Sequence, residues 1–313
     1  MSNETESWDA IVIGSGLGGM SCAAALAKFS WKVLILEQHY IAGGCTHMFS
    51  RKGYHWDVGV HVIGQMTEKQ MPGRILNWLT DNQLNMESLG PVYDSVHFPD
   101  GFSLDFPSDK RTFQDALKAR FPDEVKSIDK YFELLNEASK SAGLYFGAKT
   151  FPNWLHKLAA PLVRLKTAKW WLKSTDEVLK DLNLSKKLKA VLLSQWGYYG
   201  APPSISSFAI HAITIKHFLY GGYYPVGGAK SFAETLSKTI ESAGGKILTR
   251  ASVKEVLIQN NQAVGVLLKD GKTYSSEHII SAAGAKTTVQ NLLPATEQKK
   301  SWAKSIAKLE QSP

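Results

Sequence analysis

The chemistry legible in this chain begins with four glycines and one acid. Gly14-Ser15-Gly16-Leu17-Gly18-Gly19 is a GxGxxG run, and Glu37 lies about 20 residues further on. In a strand-turn-helix each position has a task. Gly14 permits the tight turn, Gly16 lets backbone approach a pyrophosphate with no Cβ in the way, and Gly19 lets helix and strand pack closely. Ser15 and Gly18 sit in the same turn and complete the candidate set. Free N–H groups at the helix N-terminus suit a phosphate, helped by the helix dipole. A carboxylate at Glu37 can accept hydrogen bonds from ribose hydroxyls. No Ser/His/Asp or metal-ligand constellation accompanies these residues, so no catalytic residue and no metal ligand is assigned. His55 and His61 are near enough in sequence to assist proton transfer, though a buried, hydrogen-bonded structural role is the stronger expectation for both.

The elements that must position these groups are readable around them. Ala10–Ile13 is a short β-branched run, as expected of a strand buried on both faces. A small-residue helix, Met20–Lys28, should follow the glycines, and Lys32–Leu36 reads as a second buried strand ending at Glu37. The stretch from Ala10 to Ala27 is apolar enough to imitate a membrane span, but its glycines divide it into strand, turn and helix. Val92–Phe106 is strand-like around the turn Pro99-Asp100-Gly101, and Asp109 to about Leu193 is helical in period. Beyond Pro225 the pattern alternates again, with a helix at Lys230–Ala243 and strands at Lys246–Leu248, Val253–Ile258, Gln262–Leu268, Thr273–Ser275 and His278–Ala283.

The segment after Glu37 narrows the choice of nucleotide. His39-Tyr40-Ile41-Ala42-Gly43-Gly44-Cys45-Thr46, followed by Tyr54-His55-Trp56-Asp57-Val58-Gly59, resembles FAD-containing amine oxidases and carotenoid desaturases. The whole of Gly43 to Gly64 is similar to the retinol saturase branch of the phytoene desaturase family. So are Gln195-Trp196-Gly197-Tyr198-Tyr199-Gly200-Ala201-Pro202-Pro203, His211, His217 and Tyr223-Tyr224-Pro225-Val226-Gly227-Gly228. The resemblance spans nearly the entire chain.

What that resemblance implies is specific. The fold would be α/β, a Rossmann-like FAD/NAD(P)-binding domain of the GR2 flavoprotein type interrupted by a mixed α+β substrate domain. Residues 1–68 and 220–296 would form the FAD-binding domain, 69–219 the substrate-binding domain, and 297–313 a truncated tail. Gly43 and Gly44 would lie against the cofactor's ribose and pyrophosphate. Val253 matches a residue whose backbone contacts the adenine, and Ala283 lies in the small-residue segment Ser281–Gly284 that passes near the pyrophosphate. The cofactor would be FAD, with NAD(P)H a candidate electron donor. The reaction would be hydride transfer between flavin and a carbon–carbon bond of an apolar polyene or isoprenoid. Family members carry a further Gly-rich cofactor segment near the C-terminus; nothing after Gly284 matches it, so the C-terminal part is expected to be missing and the activity of this chain alone is open. An amine oxidase sharing the nucleotide motifs, a binding protein like Rab GDP-dissociation inhibitors and an inactive remnant are the rivals.

Composition sets the outer bounds. The chain has 313 residues, 44% hydrophobic and 20% charged, as befits a globular protein. Its two cysteines, Cys22 and Cys45, are too few for a disulfide framework, although one bridge between them is conceivable. The net charge of +8 favours anionic partners. Trp154–Lys189 mixes tryptophan, leucine and Lys/Arg, which suits either an anionic membrane surface or a plain amphipathic helix with a solvated basic face. Pro161 argues against one continuous helix there. No nucleic-acid module accompanies the basic residues, so nucleic acid is not an expected partner. The polar start MSNETESW is no signal-peptide n-region, so a cytoplasmic protein is expected, peripheral on a membrane at most.

Overall fold

The computed structural model describes residues 7–309. Chain order begins with β1 (Ala10–Ile13), α1 (Leu17–Ala27), β2 (Val33–Leu36), the hairpin β3 (Met48–Arg51) and β4 (Tyr54–Asp57), β5 (Ile63–Gly64) and α2 (Met71–Leu79). Next come β6 (Met86–Ser88) and the hairpin β7 (Val92–His97) and β8 (Ser103–Pro107). Six helices follow: α3 (Lys110–Arg120), α4 (Val125–Ala148), α5 (Asn153–Trp171), α6 (Thr175–Lys180), α7 (Lys186–Leu193) and α8 (Phe208–Phe218). After β9 (Gly222–Pro225) come α9 (Lys230–Ser242), β10 (Lys246–Leu248), β11 (Val253–Gln259), β12 (Gln262–Leu268), β13 (Thr273–Ser275) and β14 (Ile279–Ser281). Three short helices, α10 (Ala285–Thr287), α11 (Ala295–Gln298) and α12 (Ser301–Ala307), end the described chain. The expected tail therefore carries α12, with Ala303 buried. The polar start 1–6 and residues 310–313 lie outside the described residues.

The chain divides into two compact units. The first comprises residues 7–62, 66–87 and 224–309. At its centre is a parallel sheet in the order β10-β2-β1-β14. Every residue of β1 and β2 is buried, which is why both read as unbroken apolar runs. Alternation sends Ala10, Val12, Val33 and Ile35 to one face, against Met20, Ala23 and Ala24 of α1 and Leu236 and Ile240 of α9. Ile11, Ile13, Leu34 and Leu36 go to the other, against Val253, Val256, Val266 and Leu268 of the antiparallel sheet β11-β12-β13. Each large aliphatic side chain buried this way is worth about 1.5–3 kcal/mol. Residues 69–87, assigned from sequence to the intervening module, lie in this unit because α2 buries Leu79 in the same cluster as Met20.

The second unit comprises residues 63–65 and 88–223. The β7–β8 hairpin supplies Leu104 and Phe106 to one core shared with Leu117 of α3, Leu135 of α4, Val191 of α7 and Phe208 of α8. Into this core is built a polar set centred on one histidine. The fully buried His211 meets the Tyr131 hydroxyl at 2.9 Å through Nε2 and the Tyr199 hydroxyl at 3.2 Å through Nδ1. Burial pushes its pKa down to about 3, so the ring is neutral, one nitrogen donating and the other accepting. Helix α5 runs unbroken through Pro161, contrary to the sequence expectation. Pro161 and Lys157 both face solvent, so the Lys157 carbonyl deprived of its i+4 donor can bond water.

Candidate functional site

The carboxyl ends of β10, β2, β1 and β14 gather the glycines and the acid, the place where open α/β sheets bind ligands. Gly14 follows β1 with φ +98°, and its N–H bonds the Leu36 carbonyl at 2.9 Å, so the turn is pinned to the end of β2. Helix α1 begins directly after Gly16, earlier than the expected Met20. Met20 is the first intrahelical donor, to the Gly16 carbonyl at 3.0 Å, which leaves the Leu17, Gly18 and Gly19 N–H groups ahead of the ladder. The three glycines differ in what surrounds them. A Cβ on Gly19 would lie 2.2 Å from the Gly14 carbonyl oxygen, so helix and turn touch through backbone. Gly16 and Gly18 face open space, with nothing within 4 Å of an added Cβ. A phosphate group fits that arrangement: clear approach over Gly16 and Gly18, and unpaired N–H groups at the start of a helix.

Glu37 is buried at the end of β2 and is ordered by three donors. The Ser15 N–H and hydroxyl donate to Oε2 at 2.8 and 2.7 Å, and the His39 N–H donates to Oε1 at 2.7 Å. Burial alone would raise its pKa. The Ser15 hydroxyl, the His39 N–H, the Ser15 N–H and the charge of His39 outweigh it, and the carboxyl is held below its ordinary range. A carboxylate offers about four acceptor positions, so room remains for a ribose hydroxyl.

The glycine doublet completes the wall. Gly43 forms a parallel bridge with Gly16, and its N–H reaches both the Ser15 carbonyl and the Ser15 hydroxyl at 3.1 Å. Gly43 and Gly44 have φ of +117° and +55°, and a Cβ on Gly44 would stand 2.8 Å from Gly16 Cα. Ser15, fully buried, thus ties the Gly14 turn to both Glu37 and Gly43.

The remaining candidates lie at the same edge by backbone. The Ala251 N–H bonds the Glu37 carbonyl at 2.8 Å and the Arg250 N–H bonds the His39 carbonyl at 2.9 Å, which leads the chain past the acid into Val253. The Val253 side chain is buried in the core behind the sheet. On the other side, the Ala282 N–H bonds the Ile13 carbonyl at 2.8 Å, and Ala282-Ala283 flanks Gly14. Asp57 was not singled out as a functional residue. It accepts from the Ala229 N–H at 2.9 Å and so clamps the Gly227-Gly228 turn ahead of α9; its place in the aromatic-Asp-x-Gly segment was the available signal. His55 and His61 are both exposed, which corrects the expectation of buried rings. His55 bonds Ser50 across the β3–β4 hairpin, so its partner is local and needs no core. Cys22 and Cys45 are free, the first with its thiol pushed up by burial.

A profile described as flavin containing amine oxidoreductase matches residues 17–309. The chain belongs to this flavin-containing family. All-trans-retinol 13,14-reductase of Rattus norvegicus is 37% identical over 311 residues, covering 94% of this chain and 50% of the relative. Chloroplastic prolycopene isomerase of Daucus carota is 29% identical over 306 residues, covering 93% of this chain and 48% of the relative. An oxidoreductase structure from Methanosarcina mazei matches with a TM-score of 0.66 at 20% identity, over 96% of this chain and 65% of that one, a likeness of fold alone. The fold is the α/β fold of the amine-oxidase type of flavoprotein. The chain spans about half the length of the curated relatives it matches. Among the described residues no helix is long and apolar enough to cross a membrane.

Proposed function

We propose that the protein is an FAD-dependent oxidoreductase of the retinol saturase and phytoene desaturase type, acting on a carbon–carbon bond of a polyene or isoprenoid. The observation that carries this reading is the 37% identity to a retinol reductase over 94% of the chain, which takes in the intervening module as well as the nucleotide motifs common to many flavoenzymes. In it, Gly14, Ser15, Gly16, Gly18 and Gly19 hold the pyrophosphate at the start of α1, and Glu37 accepts from the ribose. Gly43 and Gly44 back the same groups, Val253 offers backbone to the adenine, and Ala283 lines the pyrophosphate from β14. The unit of residues 7–62, 66–87 and 224–309 is the FAD-binding domain, and the unit of residues 63–65 and 88–223 is the substrate domain. When bound, the flavin supplies the hydride chemistry. The protein's part is to fix the cofactor, orient an apolar chain and keep water out. In the reducing direction electrons come from outside the polyene, and NAD(P)H is the donor we propose. The partners on this reading are the apolar substrate and a peripheral membrane surface, not nucleic acid.

The test uses the FAD-loaded chain, reduced without oxygen and mixed with a retinoid or carotenoid. Return of oxidised-flavin absorbance with a product richer by two hydrogens is expected. The family's description favours one other reading, amine oxidation. Reoxidation only by oxygen, with peroxide released from amines, would establish that reading and end ours. Reaction with neither class would leave a binding protein on the same fold.

A further inference from the structure

The face of α5 turned to solvent is more apolar than the face turned to the protein requires. Trp154, Leu158, Leu162 and Leu165 recur at spacings of four, four and three, which on a helix is a single stripe; Lys169, paired with Glu137, interrupts that face before Leu172 at the C-cap. The five apolar residues are 66%, 72%, 57%, 78% and 74% exposed. The opposite face is the one that packs, through Thr167 and Trp170. Scattered exposed leucines are ordinary, but a contiguous apolar stripe marks an interaction surface.

The charge around the stripe indicates what covers it. Lys157 and Arg164 flank it on one side, Lys166 and Lys173 on the other, all exposed. From Ala138 to Thr175 the sequence holds seven Lys/Arg and no Asp or Glu, in a chain with 28 acidic residues. Beside the helix, Tyr145, Ala160, Val163 and Trp171 line a groove of about 430 Å³ rimmed by Lys149 and Arg164. Apolar side chains between two rows of cations, with an indole at one end, match a helix lying in the plane of a membrane interface. A single apolar protein partner would not require both rows to be basic.

We propose that α5 docks lengthwise on an anionic lipid surface, its leucines in the headgroup–acyl boundary and Trp154 at headgroup level. The inference extends the membrane part of the reading above and is independent of its flavin part, since binding is read on the protein with or without FAD. The experiment is sedimentation of the 313-residue chain with phosphatidylcholine vesicles, with and without phosphatidylserine. Wild type should pellet with the anionic vesicles and stay in solution with neutral ones. Leu158→Glu, Leu162→Glu and Leu165→Glu together should abolish pelleting with circular dichroism unchanged. Lys157→Gln, Arg164→Gln, Lys166→Gln and Lys173→Gln serve if the glutamate variant misfolds, and should weaken binding by roughly fivefold per removed charge. Wild type left in the supernatant, or either variant binding as wild type does, overturns the proposal. So does a wild-type dimer that the glutamate variant converts to monomer without vesicle binding, since the stripe would then be a contact between copies.

Discussion

The two units hold their polar groups by opposite means. In the first, the candidate site is backbone set in place by glycine: Gly14, Gly16, Gly19, Gly43 and Gly44 approach one another through main chain, with Ser15 and Glu37 as the side-chain braces. In the second, the buried polar centre is wholly side chain, with His211 between Tyr131 and Tyr199 in an aromatic and aliphatic core. A backbone site of this kind suits what every nucleotide shares, and at Gly19 and Gly44 it leaves no room for an added atom. A side-chain core sets the shape of the module around it, and its polar members answer to pH.

The largest effect should come from adding one methyl group to the backbone site. Gly19→Ala places a Cβ 2.2 Å from the Gly14 carbonyl oxygen, and about 3 kcal/mol of stability should be lost, read as a lowered urea midpoint. Gly16→Ala is the control that sharpens this. Its Cβ meets nothing within 4 Å, so stability should stay within about 0.5 kcal/mol while FAD affinity falls at least ~10-fold. Equal destabilisation by both would mean that the glycines serve packing alone.

In the second unit, His211→Leu orphans two tyrosine hydroxyls and should cost about 2 kcal/mol at pH 7. The same variant should flatten the acid limb of the stability curve. His211 is neutral in the fold with its pKa lowered to about 3, so its contribution is complete above the ordinary histidine value near 6.5. Protonation of the unfolded chain erodes it as pH falls from there toward about 3, by up to about 1.4 kcal/mol per pH unit. Denaturant melts at several pH values would show this, and an unchanged slope would remove the assignment.

Glu37→Gln comes next. Charge-assisted hydrogen bonds are worth about 1.5–3 kcal/mol, so FAD affinity should drop roughly 10- to 100-fold by equilibrium titration. Because the carboxyl is held below its ordinary value, what it adds to stability is present above that value and disappears as pH falls through the lowered one. The variant should lack that acid-side loss. The smallest effect is expected at Tyr198→Phe. Its hydroxyl donates to Asp94 at 3.1 Å from an exposed position, so the loss should be about 0.5–1 kcal/mol in a melt.

The difference between the units also explains what could be read from the sequence. A glycine required by backbone geometry is required locally, so the run from Gly14 to Gly19 disclosed turn and helix at once, and with them the proposed phosphate cradle. The strands β1 and β2 were equally plain, because burial on both faces leaves an unbroken apolar run. The bracing by Ser15 was hidden, since Glu37 and Gly43 are 22 and 28 residues away and only the folded turn aims the hydroxyl at both. Val253 and Ala283 came from resemblance alone, because the backbone contacts proposed for them would leave no mark on the side chain at either position. The Tyr131–His211 contact joins residues 80 apart and carries no pattern. The boundary at residue 87 was missed because α2 looks like any amphipathic helix until its partner is known. Pro161 misled because the cost of a proline depends on whether the freed carbonyl faces water.

The most direct test of the central claim is a titration of the purified 313-residue chain with FAD, followed by gel filtration and a visible spectrum, alongside Gly16→Ala and Glu37→Gln. Oxidised-flavin absorbance that travels with the wild-type protein and is weakened in both variants is the predicted result. A wild-type chain that stays folded and colourless at every FAD concentration would contradict it.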